Sequence, residues 1–165
     1  MNKFKKDLEL GKKYEYKSID ILKKYGYINI EIDDTYNPYY DLTAYKNEKK
    51  VYFEVKYNAL GDKLKTVFLE CCKYPKLYQS GISITKANYY ILFTNTKYYI
   101  CGTDKLKNIL KKTIQKKLKA NGLKHIKDEH LISYIEHEGK RTKNSIGILI
   151  DVEDVKRKCK YKGSI

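Results

Sequence analysis

The sequence predicts a mixed α/β domain in which helices and strands interleave. Three observations carry this. An amphipathic stripe opens the chain. Two short alternating runs joined by a charged turn follow it. Later runs, NYYILFT and IGILIDV, are apolar enough to be buried strands. With 165 residues, 42% of them hydrophobic, the chain can build one domain with its own core. No internal repeat or Pro/Ser-rich linker divides it.

Residues 3 to 25 read as a helix, with Phe4, Leu8, Gly11, Glu15, Ile19 and Leu22 on one stripe and Gly26 as its stop. Glu15 interrupts that stripe. A charge there is costly unless it is paired, binds a metal or reaches solvent at the stripe's edge. Residues 27 to 33 (YINIEID) alternate as a strand does, and Asn37-Pro38 marks a turn. Tyr40 to Lys56 reads as a hairpin with Lys46 to Lys50 as its loop and Asp41 at the head of its first strand. Alternation sends Val51, Phe53 and Val55 to one face and Tyr52, Glu54 and Lys56 to the other. Ala59 to Asp62 breaks the pattern. Thr66 to Cys72 is a β-prone run that sets Val67 and Leu69 against Thr66, Phe68 and Glu70, placing Glu70 near the same sheet.

Ser80 can cap a short helix or turn, and Gly81 permits close backbone approach. Asn88 to Thr94 is a nearly fully buried strand that turns at Asn95-Thr96 and returns over residues 97 to 101. Residues 104 to 120 form a second helix, with Leu106, Ile109, Leu110, Ile114 and Leu118 on one side. Its other side carries Lys105, Lys107, Lys111, Lys112, Lys116 and Lys117. A further short helix is expected over residues 128 to 138, with His130 and His137 at its surface. Ile146 to Val152 reads as a last buried strand, and residues 154 to 162 as a basic, helical tail.

The formal net charge is +15, which draws a protein to polyanions, nucleic acid above all. Only Arg141 and Arg157 are arginines. Lysine neutralises phosphate as a point charge, whereas arginine reads guanine edges, so backbone binding is expected ahead of base-specific recognition. Cys71, Cys72, Cys101 and Cys159 form no CxxC pair and share no metal-ligand spacing with His125, His130 or His137. They read as reduced, mostly buried thiols. No apolar run approaches the ~20 residues of a membrane span. The N-terminal MNKFKKDLELG lacks the apolar core of a signal peptide. A location in the cytoplasm, the nucleus or a virus factory is expected, with no membrane partner.

The hairpin carries the candidate chemistry. Asp41 and Glu54 supply two carboxylates, which suit a hard divalent cation, and Lys56 supplies an ammonium that can steady the charge on an attacked phosphodiester. The same charges also fit a solvated strand face with cross-strand ion pairs. Ser80, Ser83, Thr85 and Lys86, with nearby backbone N–H groups, form a candidate phosphate cradle. The lysine face of the second helix fits either solvent or a DNA backbone.

Glu15 on a first helix, Asp41 on a strand and Glu54-Val55-Lys56 on the next, in that order, resemble the PD-(D/E)xK nuclease superfamily. The run T66-V-F-L-E70, followed by S80-G-I-x-x-T85-K86-A87-x-Y89-Y90, is similar to a phage, plasmid and large-virus subgroup with an SGI-x-x-T-x-A segment. The resemblance implies a restriction-endonuclease-like α-β-β-β-α-β core with a mixed central sheet flanked by helices. That core spans about residues 3 to 101 of a single domain, with a basic extension over 102 to 165. It implies Mg²⁺ (or Mn²⁺) held by Asp41, Glu54 and the Val55 carbonyl. Lys56 would act on the water or the phosphorane charge, with Glu15 close by. Glu70 is a possible further site residue, with a plain salt bridge as its other reading. Ser80, Thr85 and Lys86 would hold the phosphate backbone. The implied activity is hydrolysis of double-stranded or branched DNA to 5′-phosphate and 3′-hydroxyl ends by an endonuclease, a junction-resolvase-like enzyme or an end-processing repair nuclease, with a homodimer as the default assembly. A non-catalytic nucleic-acid binder keeping the fold is the alternative, and charge alone also permits an RNA-associated protein. One departure stands out: Tyr39 and Tyr40 separate Pro38 from Asp41, where the family's proline precedes the aspartate directly.

Overall fold

A computed structural model describes residues 3–35, 37–73, 78–120, 139–141 and 145–165. The helix expected over 128 to 138, with His130 and His137, lies outside the described residues, as does the side chain of Phe4.

Helix α1 runs Lys3–Lys24 and ends where Gly26 takes a left-handed φ of 76°. Strands β1 (Ile28–Ile32), β2 (Leu42–Lys46) and β3 (Lys49–Tyr57) follow as an antiparallel meander. The β2–β3 turn is tighter than the five-residue loop the sequence predicts. Lys46 already pairs with Lys49, and Asn47 and Glu48 alone make the turn, both at positive φ, as the twist of a two-residue hairpin demands. After a single helical turn α2 (Gly61–Leu64), strand β4 (Thr66–Lys73) leads to a 3₁₀ turn over Gly81–Ser83. Strands β5 (Tyr89–Phe93) and β6 (Lys97–Gly102) form the second hairpin, and α3 (Thr103–Ala120) leaves it. The chain closes with β7 (Lys140–Arg141), β8 (Ser145–Asp151), α4 (Val152–Lys158) and β9 (Tyr161–Ser164).

Among the described residues the strands make two sheets. A six-stranded mixed sheet has the order β1-β2-β3-β5-β6-β9, with β3 and β5 parallel and the other pairs antiparallel. A three-stranded sheet has the order β4-β8-β7. The molecule is therefore mixed α/β with a mixed central sheet and helices.

Two expectations change. Among the described residues, the crossover between parallel β3 and β5 holds no substantial helix. Those residues form the short α2, strand β4 and the 3₁₀ turn, and TVFLECC, which alternates and carries β-branched and aromatic residues, favours the strand. Glu70 lies on the second sheet rather than the first, since β4 pairs with β8.

The large sheet is packed on both faces. On one face α1 buries Tyr14, Ile21 and Leu22 against Leu42, Ala44, Phe53, Val55, Ile91 and Phe93. On the other, Tyr90, Leu92, Tyr99 and Cys101 meet the small sheet (Val67, Leu69, Ile148), α3 (Leu106, Ile114) and α4 (Val155). Each fully buried Leu or Ile contributes about 1.5–3 kcal/mol relative to exposure. The α1 stripe sits one residue round from the predicted one. Leu8 is 55% exposed, while Tyr14, Ser18, Ile21 and Leu22 face the sheet. Tyr14 stacks on Tyr57 at 4.2 Å between ring centroids, and Ser18 Oγ donates to the Tyr14 carbonyl, so the hydroxyl enters the core satisfied. The α3 stripe is buried at all five predicted positions. Strand β9, which pairs with β6, replaces the end of the predicted helical tail.

Candidate active site at the open edge of β3

Strand β2 stops short of its partner. Its first residue, Leu42, pairs with Phe53, yet β3 continues to Tyr57 and stays paired to β5 on its other side. The β2-side edge of β3 is therefore open from Glu54 onward. Asp41 covers the start of that edge. Its backbone N–H donates to the Phe53 carbonyl (2.8 Å), and its Oδ2 accepts from the Val55 N–H (2.6 Å). In a strand a residue's N–H and C=O point to the same edge, so the Val55 carbonyl shares the edge where Asp41 sits.

Glu54 and Lys56 lie on the face opposite Phe53 and Val55, as alternation predicts. Lys56 Nζ bonds Glu54 Oε1 at 2.7 Å, with Glu54 buried and the Lys56 side chain 40% exposed. Burial pushes the Glu54 carboxyl up, Lys56 pulls it down and Asp41 pushes it up again, leaving it above its ordinary range. Burial would lower the Lys56 pKa, but Glu54 and Asp41 outweigh it and hold the ammonium charged. Glu15 is half-buried, one residue from the Tyr14 anchor of α1. Burial raises its carboxyl first and Asp41 second, while Lys12 and Lys56 oppose the rise. Glu15 and Glu54 thus both feel Asp41 and Lys56, and both are held above their ordinary range. Such a group favours an added cation. Among the described residues no three carboxylate, imidazole or thiolate side chains converge as a ready cage. The candidate donor set is Asp41, Glu54 and the Val55 carbonyl, which suits a cation that keeps much of its own water.

The remaining predicted residues take other places. Ser80 is buried, and its Oγ donates to Glu70 Oε1 (2.7 Å), which also binds Lys73 Nζ (2.8 Å). Burial works to raise the Glu70 carboxyl, but these two bonds outweigh it and hold it below its ordinary range. Thr85 is buried too. Its hydroxyl donates to the Tyr39 carbonyl (2.9 Å) and accepts from the Ala87 N–H (3.1 Å). The Lys86 N–H donates to the same Tyr39 carbonyl (3.0 Å), while its ammonium, on an exposed side chain, lies 4.3 Å from the Tyr39 ring centroid. The segment read as a phosphate cradle therefore clamps the chain two residues before Asp41. A third tie, Asp33 N–H to the Asp41 carbonyl (2.8 Å), closes the base of the same loop. Three anchors set Asp41 despite its distance from Pro38.

Sequence reasoning passed over Tyr90. It pairs with Glu54 across the parallel β3–β5 ladder and is only 1% exposed. It was legible only as an apolar strand residue, although a buried tyrosine hydroxyl ordinarily needs a partner. The cysteines are as expected: Cys71 and Cys101 are free, and burial pushes both thiols up to about 12, which leaves them unreactive at neutral pH.

Comparison with protein-family models, curated proteins and solved structures finds no match to this chain.

Proposed function

We propose that the protein is a metal-dependent DNA nuclease that hydrolyses phosphodiester bonds at the open edge of β3. The observation that carries this reading is Asp41 bonded to the Val55 N–H beside the Glu54–Lys56 pair. Two carboxylates and a carbonyl at one strand edge, with a lysine two residues on, suit a hard cation and an anionic substrate together. The order α1, β1–β2–β3 and a parallel β5 supports a restriction-endonuclease-like core whose crossover is a strand and a 3₁₀ turn. The charge of +15 and the exposed lysines of α3 support a nucleic-acid substrate. A groove of about 1030 Å³ lined by Lys105, Lys112, Lys116, Arg157 and Lys158 lies on α3 and α4 and shares no residue with the site. It suits sequence-independent backbone contact rather than chemistry.

In this reading Asp41, Glu54 and the Val55 carbonyl hold Mg²⁺ (or Mn²⁺). The orphaned hydroxyl of Tyr90 and the raised carboxyls of Glu15 and Glu54 fit that assignment. The cation, when bound, supplies Lewis acidity and a water of lowered pKa. Lys56, held as an ammonium, stabilises negative charge on the attacked phosphate. Glu15 adds negative field from α1. Thr85 and the backbone of Lys86 keep the Asp41 loop in place, and the Lys86 ammonium is available for a phosphate. Cutting both strands of a duplex calls for two such sites, so a homodimer is the expected assembly.

The test uses supercoiled plasmid and branched DNA, with Mg²⁺ or with EDTA. Metal-dependent cutting is expected, and Lys56→Ala should reduce it by about 10²–10³-fold while DNA binding persists. Cutting that survives Lys56→Ala would put the chemistry elsewhere. Binding without metal-dependent cutting would leave a nucleic-acid binder with this fold.

A further inference from the structure

Tyr90 is the one buried side chain among the described residues whose polar atom, the hydroxyl, has no hydrogen-bond partner of normal geometry. The Thr85 hydroxyl also acts on it, but no hydrogen bond of normal geometry joins the two; the Thr85 hydroxyl donates to the Tyr39 carbonyl and accepts from the Ala87 N–H. A dry, unpaired hydroxyl is destabilising, because it has given up its bonds to water without replacing them. A phenylalanine of the same shape would fill this site without that cost.

The location is specific. Tyr90 faces Glu54 across the β3–β5 pairing, and its hydroxyl feels the charges of Glu54, Lys56 and Asp41. Its ring packs in the core between the two sheets, so the oxygen is fixed while the three charged groups lie beside it. Such groups at metal sites commonly orient a ligand or a coordinated water from outside the first set of donors.

We infer that Tyr90 is a positioning residue of the candidate metal site, its hydroxyl kept unpaired in the empty protein so as to bond Glu54 or a cation-bound water when the site is filled. This rests on the nuclease reading above, because it needs a cation at Asp41 and Glu54. The hydroxyl donates one hydrogen bond and fixes the orientation of the group that receives it; it neither loses its proton nor touches the scissile phosphate. The cost carried by the empty protein becomes a gain in affinity for the filled one.

The test compares wild type with Tyr90→Phe in two measurements made without DNA. Thermal melting in EDTA reads the empty protein. Titration with Mn²⁺ alone, followed by calorimetry or by electron paramagnetic resonance, reads the site. The expected result is a melting temperature in EDTA that is unchanged or higher in Tyr90→Phe, together with about tenfold weaker Mn²⁺ binding. A purely structural hydroxyl would give the reverse: a lower melting temperature and unchanged Mn²⁺ affinity, and either result overturns the inference. If wild type binds Mn²⁺ and Asp41→Asn abolishes it while Tyr90→Phe does not weaken it, the metal site stands and only the role of Tyr90 falls. If wild type binds no Mn²⁺, both readings fall together.

Discussion

Two acidic regions, one on each sheet, have been treated oppositely by the fold. Glu70 sits on the small sheet with a serine hydroxyl and a lysine ammonium on one oxygen, and its carboxyl is held below its ordinary range. Glu15 and Glu54 sit beside Asp41 at the edge of the large sheet, and both are held above it. Glu70 also feels Lys56 and Glu54, so distance does not separate the clusters. Local satisfaction does. An acid already supplied with donors is part of the framework. Acids left crowded around a lysine are the ones that a bound cation would relieve under the proposed function. A carboxylate raised by burial and by a like charge beside it is a candidate functional group, whereas one lowered by its own hydrogen-bond donors fits a structural ion pair.

The broadest way to break this contrast is to disturb the framework cluster through its backbone. Gly81 has φ 52°, and a Cβ there would land on the Glu70 carbonyl. Left-handed strain of about 1–2 kcal/mol and overpacking of about 1–3 kcal/mol should together make Gly81→Ala roughly 2–5 kcal/mol less stable. Denaturant unfolding measures it. Because Thr85 and Lys86 hang the Asp41 loop from the same segment, cutting should fall as well, even under conditions where the variant remains folded. Undiminished cutting by folded Gly81→Ala would mean that the segment does not position Asp41.

Glu70→Gln sharpens the contrast more selectively. Glutamine keeps a hydrogen bond with Ser80 but loses the ion pair with Lys73, so about 1–3 kcal/mol of stability should go at neutral pH. The pH dependence has a fixed sign. A carboxyl held low contributes stability above its ordinary value of 4.5, and that contribution is lost as pH falls through the depressed folded value. The gap between wild type and Glu70→Gln should therefore close with acidification, read as melting temperature against pH. Cutting should persist. A variant that stays fully stable but stops cutting would move Glu70 into the site.

These contrasts explain what could be read from residues alone. The shared face of Glu54 and Lys56 was legible because strand alternation fixes faces over short range, whereas the place of Asp41 depends on ties from distant residues. The α3 stripe was legible because its apolar residues are all aliphatic and recur at helical spacing. The α1 stripe slipped because Tyr14 and Ser18 share its buried face. Tyrosine stacking on Tyr57 and a serine satisfied by its own helix are invisible to an apolar count. Strand β9 is short and half-exposed and exists only through pairing with β6. The β4–β8 pairing joins segments far apart in the chain. Ser80 and Thr85 were read as phosphate donors because a hydroxyl's partner is set by tertiary position. Tyr90 escaped for the same reason, since only the packed sheets show that its hydroxyl lacks a hydrogen bond of normal geometry.

The smallest expected effect is also the most discriminating. Glu15 is raised by burial and by Asp41, so the folded protein resists its ionisation. A raised carboxyl contributes stability fully below its ordinary value of 4.5, and loses it as pH rises through the higher folded value. Glutamine is neutral throughout. In EDTA, Glu15→Gln should therefore gain on wild type as pH rises across that window and hold a constant small advantage above it. Because Glu15 is partly exposed, solvent screening keeps that advantage within about 1 kcal/mol. This trend runs opposite to that of Glu70→Gln, and the two melting series can be run side by side. With Mg²⁺ present, the same variant should turn over DNA more slowly, since it removes negative field from the proposed cation site. A Glu15→Gln protein less stable than wild type at neutral pH, with unchanged turnover, would make Glu15 a framework acid like Glu70 and leave only Asp41 and Glu54 for the metal.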